Sequence, residues 1–272
     1  MVARDFRKRR KVNQSIMKHL FIYAFVLFSL KAVAQNPDFK GKKLHLYLLV
    51  GQSNMAGRGK VEESDRTPHP RIWMLNKDNQ WVPAVAPMHF DKPEAGVGPG
   101  LEFARVMAEA DTSVIIGLIP AAVGGSAIDS WQPGGYHDQT KSYPYDDALR
   151  RAKAALPAGK LKGILWHQGE SDSKPALVGS YTQKLEALIK RFRKELSARK
   201  VPFVVGTLGD FFVNRVPEAK DINEQLRQLP RKVKHTACVE AAGLGEKGDK
   251  THFDTPAARE LGRRYAEAMK RF

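Results

Sequence analysis

Continuous apolar segments alternate with amphipathic segments along the chain from residue 44 onward. Five of the apolar segments have the length of strands, at 44–50, 114–119, 161–166, 202–207 and 236–239. Between and after them, apolar residues recur at helical spacing over 101–110, 146–156, 181–197, 217–229 and 256–272. Strands that are apolar throughout are buried on both faces, as in parallel sheets covered by helices. The pattern therefore predicts an α/β protein, a three-layer α/β/α sandwich around a central parallel sheet.

Two segments need a separate prediction. Thr255 has the position of an N-cap for the closing helix, with Pro256 at the first helical position. The region 57–100 contains six prolines and interrupts the alternation of strands and helices. It is predicted to be a long excursion with a small hairpin at 72–81, and it either shapes a substrate pocket or is an insertion without a role in the site.

The first 34 residues have the parts of a secretory signal peptide. A basic start precedes the apolar stretch 20–30, and Ala32-Val33-Ala34 has the small residues of a cleavage site. The stretch is shorter than the roughly 20 residues that span a bilayer. We expect cleavage after Ala34, Met17 as an alternative start, a secreted or periplasmic protein without a stable membrane span, and one domain over 35–272. A signal anchor is the alternative.

Charge and cysteine content narrow the possible partners. The net charge is +16, and part of it lies in the leader. The remaining Lys and Arg alternate with Asp and Glu along predicted helices, without a compact basic run interleaved with aromatics, so no nucleic-acid partner is expected. A basic chain does suit anionic surfaces or acidic glycans. Cys238 is the only cysteine, so no internal disulfide forms, and a buried, unreactive thiol is predicted.

The chemistry is concentrated behind the strands. Gly51-Gln52-Ser53-Asn54 follows the first strand directly, at the sheet edge where ligands of open α/β proteins bind. Serine becomes a nucleophile only when a base takes its proton and a third group orients that base. His252 lies in the loop after the last strand, and Asp249 precedes it by three residues. These residues predict a catalytic triad of Ser53, His252 and Asp249.

Acyl transfer also needs donors for the oxyanion that forms on the attacked carbonyl. Gly125, in the turn after the second strand, can present its backbone N–H closely because it has no Cβ. Gln168 follows the third strand and can donate from its side-chain amide. The Gly125 N–H and the Gln168 amide are therefore the candidate oxyanion donors. No clustered ligand set of the His-x-x-x-His kind is present, so no metal or cofactor is expected.

Together these motifs resemble a known superfamily. Gly51-Gln52-Ser53-Asn54-Met55-Ala56-Gly57, Gly124-Gly125-Ser126, Trp166-His167-Gln168-Gly169-Glu170 and Asp249-x-x-His252 are similar, in this order, to the blocks of SGNH hydrolases. Within that superfamily they resemble the sialate O-acetylesterase and carbohydrate esterase family six branch, which includes acetylxylan esterases. The resemblance implies a flavodoxin-like fold and the removal of O-linked acetyl groups from sugars without a metal. It also supports the triad, and it implies an oxyanion hole formed by the Ser53 backbone N–H, the Gly125 N–H and the Gln168 amide.

Four further residues are candidate supports. Glu170 is expected to hydrogen-bond near the serine turn, to orient His167, or to act as an alternative acid. Asn54 and Arg58 are expected to brace the serine turn or line the pocket. Trp131, Trp166 and the region 57–100 are expected to hold the sugar. An acetylated glycan is the predicted substrate; which sugar, and the oligomeric state, stay open.

Three alternatives remain. A non-catalytic carbohydrate-binding protein could keep the same fold. A lipase or thioesterase of the superfamily would use the same triad on a longer acyl chain. A metal-dependent deacetylase would need a clustered set of Asp and His metal ligands, which the sequence does not contain.

Overall fold

Seven strands form one sheet in the computed structural model, which describes residue 39 and residues 41–272. The predicted signal peptide and Met17 lie outside these residues. The order across the sheet is β3-β2-β4-β1-β5-β6-β7. The strands are β1 Lys43–Gly51, β2 Ile72–Leu75, β3 Trp81–Pro83, β4 Val114–Pro120, β5 Lys160–His167, β6 Phe203–Gly206 and β7 Thr236–Val239.

The five predicted strands pair parallel with their neighbours among themselves. Across the sheet these five strands come in the order β4-β1-β5-β6-β7. Counted along the chain, that is the second, first, third, fourth and fifth predicted strand, which is a flavodoxin-like order. The excursion does contain the predicted hairpin, but β2 joins the main sheet by pairing parallel with β4. Its partner β3 pairs antiparallel with β2 and forms one edge. The prediction of a parallel sheet is therefore right for every pairing except this one.

Eight α-helices occur in the described part of the chain, and the five long ones cover the two faces of the sheet. The helices α3, α5 and α7 pack on one face, and α2 and α8 pack on the other. This arrangement is the predicted three-layer sandwich. The helices are α1 Ser53–Ala56, α2 Pro99–Ala110, α3 Pro144–Ala155, α4 Pro175–Val178, α5 Tyr181–Glu195, α6 Asp210–Val213, α7 Glu218–Lys232 and α8 Thr255–Met269.

The central strand β1 shows why an apolar run becomes a buried strand. Successive side chains of a strand point to opposite faces. Leu46 and Leu48 contribute to the core on the α3 side, and Tyr47 and Leu49 to the core on the α2 side. All four are buried. Burying each such side chain contributes about 1.5–3 kcal/mol, so both faces of β1 hold the sheet in place.

The start of the closing helix differs from the prediction. The N-cap is Asp254, whose Oδ1 accepts a hydrogen bond from the Ala257 backbone N–H at 2.8 Å. Thr255 is already helical, and its hydroxyl donates to the Lys60 carbonyl oxygen at 2.6 Å. Asp254 is the N-cap because its carboxylate accepts a hydrogen bond from a free N–H of the first turn. The Thr255 hydroxyl instead binds the region 57–100 through Lys60.

The carboxyl ends of β1, β4 and β5 meet at one edge of the sheet, and the candidate chemistry follows them. Gly51 ends β1, Pro120 ends β4 and His167 ends β5. The loop between β7 and α8 brings His252 to the same edge. Over the described residues, no helix is both long and apolar enough to cross a bilayer. Cys238 lies half-buried in β7, where burial raises the pKa of its thiol to about 12.

Candidate active site

The serine turn depends on a glycine at the end of β1. Gly51 has φ +124°, and a Cβ added there would lie 2.1 Å from the carbonyl oxygen of His167. The close approach lets the Gln52 backbone N–H donate to that same carbonyl at 2.8 Å. The chain then turns at once into α1, whose first residue is Ser53. A larger residue at 51 would push β1 and β5 apart just below the serine.

Ser53, His252 and Asp249 form a continuous hydrogen-bonded chain. The Ser53 Oγ lies 2.9 Å from Nε2 of His252, and Nδ1 of the same ring lies 2.7 Å from Oδ2 of Asp249. The other carboxylate oxygen, Oδ1, accepts from the backbone N–H groups of Thr251 and His252 at 2.9 and 2.8 Å. The carboxylate is thus held by its own loop, and it fixes the ring with Nε2 directed at the serine.

The electrostatics suit a histidine that acts as a base. Desolvation raises the pKa of Asp249, but hydrogen bonds from the His252 ring and from the backbone of His252 and Thr251 outweigh it and lower the pKa to about 2. Desolvation lowers the pKa of His252 below its ordinary value, and Asp249 opposes that shift. The imidazole is therefore neutral, and able to accept a proton, at neutral pH.

Asn54 clamps the serine turn to the histidine loop. Its Nδ2 donates to the Thr251 carbonyl oxygen at 3.0 Å, and its Oδ1 accepts from the Phe253 backbone N–H at 3.1 Å. These two residues flank His252 on both sides. One buried amide next to Ser53 thus fixes the His252 loop relative to the serine turn, and this is a bracing contact.

Glu170 extends this clamp. Its Oε1 accepts a hydrogen bond from Nδ2 of Asn54 at 2.6 Å. Burial raises the pKa of Glu170 to about 7. Of the three roles considered, the contact near the serine turn is the one that the geometry presents. Among the hydrogen bonds of the described residues, none joins Glu170 to His167 or His252.

Two backbone N–H groups remain available at the predicted oxyanion hole. Gly125 has φ +83°, which L-residues rarely adopt. Among residues 41–272, no hydrogen bond uses the backbone N–H of Ser53 or of Gly125. The turn that contains Gly124 and Gly125, called the glycine turn, is anchored to β1, because the Val123 N–H before it donates to the Gly51 carbonyl at 2.9 Å. The serine turn and the glycine turn are therefore neighbours, each with a free donor.

Gln168 does not point its amide at the serine, contrary to the prediction. Its Nε2 donates to the Ser126 carbonyl at 3.1 Å and to Oδ2 of Asp172. The same carboxylate oxygen accepts from the Ile128 backbone N–H at 2.8 Å. The buried Asp172 carboxylate attracts the amide, so Gln168 braces the segment after Gly125 instead of offering the third oxyanion donor. Asp172 has no predicted role, although it closes the polar cluster after β5.

Arg58 and Asp91 form a buried ion pair behind the two turns. The guanidinium Nη2 lies 2.8 Å from Oδ2 of Asp91, and the side chains are only 5% and 1% exposed. Nη1 of Arg58 donates to the Gly57 carbonyl at 2.7 Å, and Oδ2 of Asp91 accepts from the Gly124 backbone N–H at 2.8 Å. The pair therefore links the end of the serine turn to the glycine turn, which is a bracing role for Arg58. Asp91 was not predicted.

His167 lies beneath the site and supports it only indirectly. The ring is fully buried, and its Nδ1 lies 3.2 Å from the hydroxyl of Tyr265. That hydroxyl donates to the Trp166 carbonyl at 2.7 Å, so it accepts from Nδ1. Burial lowers the pKa of His167 to about 3. The neutral ring packs edge-on against Phe253, which follows His252 in the chain.

The two tryptophans expected to hold the sugar are in the core. Trp131 and Trp166 are both 0% exposed, and their rings meet edge to face with centroids 5.1 Å apart. Their indole N–H groups donate to Ser126 Oγ and to the Tyr181 hydroxyl. Both satisfy their polar atoms inside the protein, so neither can contact a substrate. This prediction was wrong.

The geometry as a whole provides a serine with an adjacent base, an orienting carboxylate and two free backbone donors. Such a set can carry out acyl transfer. In residues 41–272, no group of three or more His, Cys, Asp or Glu side chains is placed to hold a metal ion. The protein is thus an α/β sandwich around a mostly parallel seven-stranded sheet, with Ser53, His252 and Asp249 hydrogen-bonded in series at one sheet edge.

Comparison with known proteins then gives the family. The family described as "Carbohydrate esterase, sialic acid-specific acetylesterase" matches residues 43–271, nearly all of the described chain. The chain belongs to this family, and it is a carbohydrate esterase. The resemblance drawn from the sequence motifs is confirmed at the level of the family.

Individual relatives agree. A protein of Arabidopsis thaliana named a probable carbohydrate esterase is 33% identical over 247 residues, which are 82% of this chain and 89% of the relative. The crystal structure of an Arabidopsis thaliana protein covers 85% of this chain and 98% of its own, with 30% identity and a TM-score of 0.75. The crystal structure of NanS covers 85% and 98%, with 19% identity and a TM-score of 0.69, a similarity of fold.

Proposed function

We propose that the protein removes O-linked acetyl groups from carbohydrates through an acetyl-enzyme on Ser53. The observation that carries the proposal is the relay from Ser53 Oγ through His252 to Asp249, with contacts of 2.9 and 2.7 Å. A serine hydroxyl at this distance from a neutral, oriented imidazole is a competent nucleophile. Membership of the family supports a carbohydrate ester as the substrate, and the geometry of the site supports a serine mechanism.

The first half of the reaction acylates the serine. Ser53 Oγ attacks the acetyl carbonyl carbon while His252 Nε2 takes the hydroxyl proton. The carbonyl π electrons move to its oxygen, and the N–H groups of Ser53 and Gly125 stabilise the resulting oxyanion. When the tetrahedral intermediate collapses, the bond to the sugar oxygen breaks, and His252 gives its proton to that oxygen. The sugar leaves with a free hydroxyl.

The second half regenerates the enzyme. His252 takes a proton from a water molecule as its oxygen attacks the acetyl carbonyl of the acetyl-enzyme. The same N–H groups hold the second oxyanion. Collapse expels Ser53 Oγ, which receives the proton back from His252, and acetate leaves. Asp249 stays ionised throughout and stabilises the imidazolium, which agrees with its low pKa.

A comparison of substrates tests the proposal. The protein is expected to hydrolyse 4-nitrophenyl acetate faster than the butyrate and octanoate esters, and to release acetate from acetylated xylan or from O-acetylated sialic acid. Released acetate and 4-nitrophenol are the measured products. A preference for octanoate would favour the lipase-like alternative. Binding of the glycans without any ester turnover would favour the non-catalytic alternative and contradict the proposal.

A further inference from the structure

Three exposed aromatic side chains lie on loops that contact the glycine turn. The large hydrophobic side chains that are exposed in the described chain are Phe90, Tyr136, Tyr143 and Phe272, at 47–53%. Three of the four lie on the two loops that hold the Gly124–Gly125 turn, one between β3 and α2 and the other between β4 and α3. Exposed aromatic groups beside a functional site commonly mark a binding surface.

Tyr136 and Tyr143 form a pair of their own. Their ring centroids are 5.1 Å apart, and the ring planes are tilted by 55°. Each ring is about half exposed. In the hydrogen bonds of residues 41–272, neither phenolic hydroxyl has a partner. The pair therefore presents ring faces together with two hydroxyl groups to the solvent, and we call it the tyrosine platform.

A short hairpin ties the tyrosine platform to the active site. The backbones of His137 and Ser142 exchange two hydrogen bonds, at 2.8 and 3.3 Å, so Tyr136 and Tyr143 stand next to each other across the hairpin. Nε2 of His137 lies 3.2 Å from the Gly124 carbonyl oxygen. Tyr136 directly precedes His137, whose side chain touches the glycine turn, and their Cα atoms are about 3.8 Å apart.

The surroundings of the platform are polar. Lys92 Nζ donates to Oε1 of Gln139 at 2.9 Å, and that amide lies against Gly125. Asp138 and Lys141 form an exposed ion pair in the same hairpin. An apolar partner would leave these groups without water, whereas a sugar carries hydroxyl groups for them. Aromatic rings with a polar tip also suit a partner with one apolar face and a polar rim, such as a pyranose ring.

We propose that the tyrosine platform is a sugar-binding subsite of this esterase, on which a pyranose ring of the acetylated carbohydrate stacks. The proposal rests on the proposed function for the ester, and it replaces the two buried tryptophans as the aromatic contact. Tyr136 and Tyr143 provide the ring faces, and their hydroxyls, with Gln139 and Lys92, provide hydrogen bonds to the sugar. The subsite lies beside the glycine turn and increases affinity for the carbohydrate without taking part in the chemistry.

The test compares a carbohydrate ester with a small ester. KM and kcat are measured for acetylated xylo-oligosaccharides, for O-acetylated N-acetylneuraminic acid and for 4-nitrophenyl acetate, with Tyr136→Ala and Tyr143→Ala. For the carbohydrate ester that the wild type hydrolyses, KM should rise about fivefold more than KM for 4-nitrophenyl acetate, because an aromatic contact is lost. Tyr136→Phe keeps the ring face and should keep most of the affinity.

Phe272→Ala is the matched control, since this exposed aromatic residue follows α8 at the opposite edge of the sheet, and it should leave both KM values as in the wild type. Equal losses on both kinds of ester would overturn the proposal, because they would indicate damage to the glycine turn. Unchanged KM for the carbohydrate esters would overturn it as well. The proposal would also be overturned if sedimentation showed a dimer for the wild type and a monomer for Tyr136→Ala, because the platform would then be a contact between copies of the chain.

A second measurement separates this proposal from the proposed function. Binding of unacetylated xylo-oligosaccharides and of N-acetylneuraminic acid is followed by NMR of the tyrosine ring protons, which needs no ester turnover. Binding that is lost in Tyr136→Ala supports the platform even if Ser53 is not the nucleophile. Ester turnover without any sugar-induced change at the tyrosine rings overturns the platform and leaves the esterase intact.

Discussion

Replacing His252 by Gln should lower kcat for 4-nitrophenyl acetate by about 10⁶-fold, the loss that follows removal of the base from a serine-hydrolase triad. The ring is the only group within hydrogen-bond distance of Ser53 Oγ among the described residues, at 2.9 Å. Glutamine has a similar length but cannot accept and return the proton. Initial rates at substrate saturation, for protein that keeps its circular dichroism spectrum, provide the measurement.

Asp249→Asn should cost less, about 10⁴-fold, because the ring remains in place but loses the carboxylate that stabilises the imidazolium. His235→Gln is the matched control, since this exposed histidine precedes β7 at the opposite edge of the sheet. It should retain wild-type turnover. If His252→Gln retained more than a small residual rate, His252 would not be the base.

Asp91→Ala should lower the free energy of unfolding by about 3–5 kcal/mol, the cost of removing one partner of a buried ion pair. The change leaves the Arg58 guanidinium uncompensated in a site where the two side chains are 5% and 1% exposed. It also removes the acceptor of the Gly124 N–H. Denaturation by urea, followed by tryptophan fluorescence, measures the loss, and kcat should fall too because the glycine turn is released.

The double variant with Arg58→Leu and Asp91→Ala should recover part of that stability, because no charge is then left buried. Asp138→Ala is the matched control: its ion pair with Lys141 is 83% and 71% exposed, so its removal should change stability little. If Asp91→Ala unfolded at the same urea concentration as Asp138→Ala, the Arg58–Asp91 pair would not hold the two turns together.

Apolar segments were enough to predict the parallel sheet. The run that became β4 is apolar at every position, and those of β1 and β5 are apolar over 46–50 and 163–166, as expected for strands covered on both faces. The joining of β2 and β3 to the main sheet was not predictable, because their short segments lie among prolines and β4, the partner of β2, begins only at Val114 while β2 ends at Leu75. Pairing at that separation is decided by packing, not by local pattern.

The proximity of Ser53, His252 and Asp249 could be predicted because these residues lie in short motifs. Asp249 and His252 are three residues apart, and Ser53 follows a strand directly, so the topology alone brings them to one edge. Burial could not be predicted in the same way. Trp131 and Trp166 occur beside site motifs, yet they face inward because their N–H groups find partners in Ser126 and Tyr181.

The supporting contacts were hidden because each joins distant parts of the chain. Asn54 contacts Thr251 and Phe253 across nearly 200 residues, and the sequence gives no sign of that pairing. Asp91 lies in the excursion between two segments without periodicity. Gln168 was assigned a donor role from its position, but the nearby Asp172 carboxylate takes its amide. Competition between neighbouring polar groups decides such roles, and only the folded structure shows it.

The most direct test of the central claim is to look for the acetyl-enzyme itself. Wild-type protein and Ser53→Ala are mixed with 4-nitrophenyl acetate, quenched in acid and examined by intact-protein and peptide mass spectrometry, while 4-nitrophenol release is recorded. Ser113→Ala is the control, because this exposed serine directly precedes β4, at the sheet edge opposite Ser53. We expect one added acetyl group on the peptide containing Ser53 in the wild type and the control, and neither adduct nor turnover in Ser53→Ala. Turnover that survives Ser53→Ala, or an acetyl group on another residue, would contradict the account.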